Sequence, residues 1–226
     1  LAFSTVTGSN GVTSLVGTTG IDTASIVTLD SNVFIGGNTG DDTITTVLGT
    51  GGNNLADYNV RMGGGDDTFT LGNTLLNSTI SLDGETIAND GDDNFTSGAN
   101  LIINSDILGR GGNDVLGGNT AATALRLNNS EVNGNTGDDT ITVGESSSSF
   151  IYGGQNTDDI AVVGASSALL VNGNKGSDTI LVNAVAFGGG SVYGGNGNDT
   201  ITMNSTTDGV LVSGDKGIDN IITAAG

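Results

Sequence analysis

Apolar and polar positions alternate along this chain in short bursts of about five residues, which is the period of a strand with one buried face. DTITV (139–143) and FIYGG (150–154) are examples, and clusters of Gly, Asn, Asp and Ser separate them. The long Ala/Leu/Glu/Lys patches expected of helical segments are missing. The bursts recur. Aligned on an Asp that precedes a β-branched or apolar pair, ten segments fall into step: Asp22, Asp42, Asp67, Asp93, Asp114, Asp139, Asp159, Asp178, Asp199 and Asp219. Their spacings are 20, 25, 26, 21, 25, 20, 19, 21 and 20 residues. A Gly stands two residues before nine of them, the exception being Thr157. Two residues after each Asp the position is apolar, from Ala24, Ile44, Phe69 and Phe95 through Leu116, Ile141, Ala161 and Ile180 to Ile201 and Ile221. Seven residues before, it is often apolar again, as at Ile35, Val132, Val171, Val192 and Val212.

A period near 20 is the signature of a stacked architecture, because one unit cannot bury its apolar face alone and its neighbours can. The pattern predicts an all-β fold: a parallel β-solenoid of about ten coils, with about 20 residues and two short strands per coil, forming a single domain over 1–226. At ~4.8 Å per coil the rod is on the order of 50 Å long. Gly and Asn in the turns supply the positive φ that a tight corner needs, and the absence of Pro keeps the inter-coil ladder intact. Three coils are longer. Their extra residues, within 47–59, 72–88 and 117–130, are expected as loops projecting from the rod.

Composition narrows the chemistry. The chain is acidic, with a net charge of −20, which argues against nucleic acid and against an anionic membrane surface. No apolar run approaches the ~20 residues of a spanning helix, so membrane insertion is not expected. The acids are 22 Asp against 3 Glu. Solubility alone does not choose between them, whereas short Asp suits turns and oxygen-ligand cation sites. Stacking would align the Asp in one column, with adjacent carboxylates about 5 Å apart and mutually repulsive. The turns offer only Arg110, Lys175 and Lys216 as counter-charge. Without His or Cys, nitrogen and sulfur metals are disfavoured, and Asp with backbone carbonyls points to several bound Ca²⁺ ions. The competing explanation is local: each Asp caps its own turn.

The turns themselves carry a resemblance. GGNGNDTIT (194–202) fits G-G-x-G-x-D-x-U-x, where U is a large apolar residue, and GNTGDDTIT occurs at 37–45 and again at 134–142. GNKGSDTIL (173–181), GDKGIDNII (214–222) and, more loosely, GRGGNDVLG (109–117) follow. These segments resemble the haemolysin-type calcium-binding nonapeptides of the repeats-in-toxin (RTX) family. The resemblance implies that turn carbonyls and the Asp of successive coils share each ion, and that calcium drives folding. It implicates the same ten Asp as metal ligands. Family members place nonapeptides back to back, whereas this chain has about one per coil. The opposite turns (GESSSS, GASSA, NSTTDG) lack an Asp column, so ions are expected along one edge only.

Three tasks are open to such a rod. An enzyme is disfavoured, since there is no Cys or His and only Arg61, Arg110 and Arg126 could assist paired carboxylates. Ice binding would use outward Thr-x-Thr rows such as Thr43/Thr45, Thr68/Thr70, Thr140/Thr142 and Thr200/Thr202, which Ile160/Val162, Val115/Gly117 and Asn220/Ile222 interrupt. The third is structural: an extracellular, calcium-binding segment of a surface layer, fibril or adhesin at a bacterial cell surface, which the composition resembles. A related possibility is a calcium-triggered folding module of a secreted enzyme or toxin. Neither GIDNIITAAG (217–226) nor FSTVTGSNGVTSL (3–15) reads as a cap, and the latter reads as part of a coil. Head-to-tail self-association, or continuation in a longer rod, is expected, with a cell-surface glycan as a further candidate partner.

Overall fold

Val33 and Ile35 bury their side chains while Phe34 between them is half-buried, and this two-residue alternation recurs on most coils of the computed structural model. The structure describes residues 3–7, 13–26, 32–47, 54–83, 91–205 and 207–223. Among these there is no helix, and strands stack in parallel as a β-solenoid of about nine turns.

Among the described residues, the coils from Val33 to Asp208 have three strand segments each rather than the two expected. The first face is an 11-stranded sheet. In it Ile35 pairs with Val60, Val60 with Ile80, Ile107 with Val132, and the register continues through Ile151, Val171 and Val192 to Val212. The second face carries Ala24, Ile44, Phe69, Phe95, Leu116, Ile141, Ile160, Ile180, Ile201 and Ile221 in one inward column. Ile160, not Ala161, occupies the seventh place. The rings of Phe69 and Phe95 stack there, with centroids 5.7 Å apart. The third face is short and passes from Leu55 through Leu75, Ile102 and Leu127 to Ser146, Ser166 and Phe187. Thr140–Ser147 runs through the second and third faces and joins them in one 17-stranded sheet.

The three long segments are therefore not simple projecting loops. Leu55–Ala56, Leu75–Leu76 and Leu125–Asn128 are strands of the third face, and Thr79–Asp83 belongs to the first. Of these segments, 48–53 and 84–88 lie outside the described residues. The N-terminal stretch also departs from expectation: Ser4–Thr7 pairs antiparallel with Thr13–Val16, making a hairpin at the edge of the first face instead of a further coil.

The corner between the first and second faces is the Gly/Asn/Asp turn. It needs two residues at positive φ, supplied for example by Asn135 (75°) with Gly137 (133°) and by Gly195 (110°) with Gly197 (150°). At Gly197 a Cβ would stand 1.5 Å from the Gly176 carbonyl oxygen of the previous coil, so the coils approach too closely for any side chain.

Candidate functional site

The backbone N–H of each turn Asp donates to Oδ1 of the Asp one coil further on. Nine such bonds run without a break from Asp22 to Asp219, through Asp42, Asp67, Asp93, Asp114, Asp139, Asp158, Asp178 and Asp199, at 2.6–3.0 Å. From Asp22 to Asp199 these residues are 0–1% exposed. Nine of the ten residues expected from sequence stand in this row. Asp159 does not. It begins the strand Asp159–Val162 with its side chain exposed, in register with Thr140 and Thr179, and Asp158 fills the row. The physical reason is the corner geometry: the row residue lies two positions before the inward apolar residue, here Ile160, and Asn156 at φ 80° replaces the usual turn Gly.

The second oxygen of these carboxylates is the chemically unusual feature. Oδ2 of Asp42, Asp67, Asp93, Asp114, Asp139, Asp158, Asp178 and Asp199 is buried without a hydrogen-bond partner. In most coils it points at the Gly five residues earlier. A Cβ on Gly134 would lie 2.0 Å from Asp139 Oδ2 and 2.6 Å from the Gly153 carbonyl oxygen of the next coil. The same convergence of a carboxylate oxygen and a next-coil carbonyl recurs at Gly17, Gly37, Gly109, Gly153 and Gly173. At each of these steps a carboxylate oxygen and a next-coil carbonyl converge on a position where only glycine fits.

Electrostatics follows from burial. Removal from water pushes the Asp93 carboxyl up to about 9, Asp114 and Asp158 to about 8, and Asp67 to about 7. Asp42, Asp139 and Asp178 rise to about 6, and Asp199 is also raised. The backbone N–H bond pulls each value down in part, and neighbouring carboxylates push it up again. Burial, more than the mutual repulsion expected from sequence, makes the charged row costly.

Two other rows sharpen the comparison. Outside the turn an exposed row runs in the opposite direction: Asp66 N–H donates to Asp41 Oδ1, Asp92 to Asp66, Asn113 to Asp92, Asp138 to Asn113 and Thr157 to Asp138. It uses Asp, Asn and, at Ser177, a hydroxyl that accepts from Asn198 N–H. On the opposite edge is a buried serine row that sequence reading missed. Tyr58 N–H donates to Ser78 Oγ, Ser78 to Ser105, Ser105 to Ser130 and Ser130 to Ser149. Each hydroxyl also donates to the carbonyl two residues back, so it is fully satisfied. Its only trace in the sequence is the recurring pair Asn77-Ser78, Asn104-Ser105 and Asn129-Ser130, whose Asn sits at φ 47–49°. A neutral oxygen therefore suffices to join coils. The inner row alone keeps Asp at every step, and so a second, charged oxygen.

Among the described residues no three acidic side chains cluster closely enough to hold a metal by themselves. A cation on this edge would take one Asp oxygen per coil together with turn carbonyls, and Ca²⁺ accepts such a mixed oxygen set. The outward Thr pairs do align, as Thr43 with Thr68 and Thr45 with Thr70. Asn94, Val115, Asp159 and Leu181 interrupt the row, while Ile160 and Val162 prove to be core residues pointing inward. Comparison with protein-family models, with curated proteins and with solved structures finds no match for this chain.

Proposed function

We propose that this chain is a structural rod of the extracellular face of a bacterial cell, and that calcium loads its aspartate edge, stabilises the fold and permits assembly. The observation that carries this reading is the set of eight buried Oδ2 atoms without a hydrogen-bond partner, most of them facing a carbonyl of the next coil. A proton could satisfy some of them. It suits Asp93, Asp114 and Asp158, raised to about 8–9, better than Asp42, Asp139 and Asp178, raised only to about 6. A divalent oxygen-seeking ion answers the whole row. The resemblance of the turns to the repeats-in-toxin nonapeptides supports the same ion. Extracellular calcium-binding modules have dissociation constants around 10⁻⁴–10⁻³ M, so the rod would fill outside the cell and remain metal-poor inside it.

Assembly is supported by the last described coil. Ile221 is 43% exposed although its stacking equivalents Ile141, Ile180 and Ile201 are fully buried. A further coil stacked on it, from the same chain or from a second copy, would cover this face. The test is circular dichroism with calcium added and then chelated, with negative-stain images of the same samples and titration calorimetry for stoichiometry. Strand signal and rods that both require calcium support the proposal. A fold and rods unchanged by chelation, with no heat of calcium binding, would refute it.

A further inference from the structure

On the outer side of the first face, where it bends into the aspartate turn, lies an open groove of about 760 Å³ that crosses five coils from Asn133 to Lys216. Much of its lining is planar side-chain amide: Asn133, Gln155, Asn172, Asn174 and Asn196. Part of this has a structural purpose. Oδ1 of Asn133 and of Asn172 accepts the N–H two residues ahead, at 3.1 and 2.9 Å. That use leaves their Nδ2 groups as donors toward the groove. Gln155 and Asn196 are exposed and have no such task.

Two further columns share an interval, the lysines in the groove lining and the tyrosines on the strands beside it. Tyr152 pairs with Asn172 and Asn172 with Tyr193, so the tyrosines are two coils apart. Lys175 pairs with Asn196 and Asn196 with Lys216, which sets the lysines two coils apart as well. Two coil rises are roughly 10 Å, the reach of two linked sugar rings. The ring of Tyr152 is already held parallel to that of the exposed Phe150, centroids 6.5 Å apart, and presents a flat apolar surface. Of the five basic residues in a chain of charge −20, two stand on this groove, and neither forms an ion pair among the described residues. The groove's one acid, Asp215, is engaged by the Ser213 hydroxyl at 2.6 Å.

We infer that this groove binds an acidic polysaccharide lying along the rod axis. The tyrosines stack on sugar faces, the amides pair with ring hydroxyls, and the lysines meet carboxylates on alternate steps. The repulsion of the acidic rod is screened beyond about 8–10 Å at physiological salt, so the local lysines decide the docking position. None of these residues belongs to the aspartate row, and the inference stands on the fold alone, whatever ion that row holds.

The test is titration calorimetry with oligogalacturonides, a neutral gluco-oligosaccharide of equal length and polyglutamate. It is run in saturating calcium and repeated in chelator where circular dichroism shows the strands retained. The expected result is binding of the oligogalacturonide at least tenfold tighter than either control. Lys175→Gln/Lys216→Gln and Tyr152→Ala/Tyr193→Ala should each weaken it at least tenfold with unchanged circular dichroism. Absence of binding, polyglutamate binding as tightly as the sugar, or either double variant binding like the wild type would overturn the assignment.

Discussion

Asp139 donates its backbone N–H to Oδ1 of Asp158, 2.9 Å away, and not to Asp159, whose carboxylate lies outside the rod. The two adjacent acids therefore separate into different roles, and single variants distinguish them. Asp158→Asn keeps an oxygen acceptor for the Asp139 N–H but removes a buried charge. It should stabilise the calcium-free rod and shrink the calcium-induced rise in melting temperature. Asp159→Asn should leave both within about 0.5 kcal/mol of wild type, as for ordinary surface changes. Thermal melts with and without calcium check both.

The raised carboxyls set the sign of the pH dependence. Their folded values lie above the ordinary 3.8, so the folded rod binds more protons than the unfolded chain. In chelator, stability should be greatest below about pH 4 and fall as pH rises through the folded values, from about 6 for Asp42, Asp139 and Asp178 to about 9 for Asp93. On the proposed calcium reading the slope should reverse when calcium is present, because protons would compete with the ion for the same oxygens. Denaturant midpoints at pH 4.5, 6 and 8 in both conditions measure it. A chelated rod that gains stability between pH 6 and 8 would contradict the buried charge row.

Gly134→Ala places a methyl group where Asp139 Oδ2 and the Gly153 carbonyl converge. It should cost about 2–3 kcal/mol through overpacking and lower calcium affinity. Gly20→Ala meets nothing within 4 Å and serves as the neutral control. Chemical denaturation and calcium titration of the pair give the comparison.

Ser105→Ala removes the acceptor of the Ser78 N–H, 3.0 Å away on the opposite edge, and leaves that donor buried. A loss of about 1–3 kcal/mol is expected, with calcium stoichiometry unchanged. Loss of calcium binding in this variant would mean that the two edges do not act separately.

Much of the fold was legible because burial and periodicity are written together: one inward residue and one turn Asp recur in every coil. The misplaced Asp159 shows where that reading was weak. TDDI offers two acids, and aligning on the second made Ala161 the inward residue, although the spacing of Asp, one residue and a large apolar side chain points to Asp158 and Ile160. The third face was hidden because its two-residue strands, such as Ser166–Ser167 and Phe187–Gly188, are too short to alternate. The serine row was hidden because a hydroxyl in a turn has the same sequence signature whether it faces water or a neighbouring coil.

The inner row of bonds all point one way, each amide reaching toward the carboxylate of the following coil. Between any two coils, one surface offers the acceptor and the other the donor. At the leading side of the described row, Asp22 Oδ1 has no hydrogen-bond partner. Two rods brought together in opposite senses would set carboxylate against carboxylate, while two in the same sense continue the row. If such units stack into the proposed filament, it would have a built-in arrow: broken anywhere, it would anneal in one orientation only, and its two tips would grow at different rates.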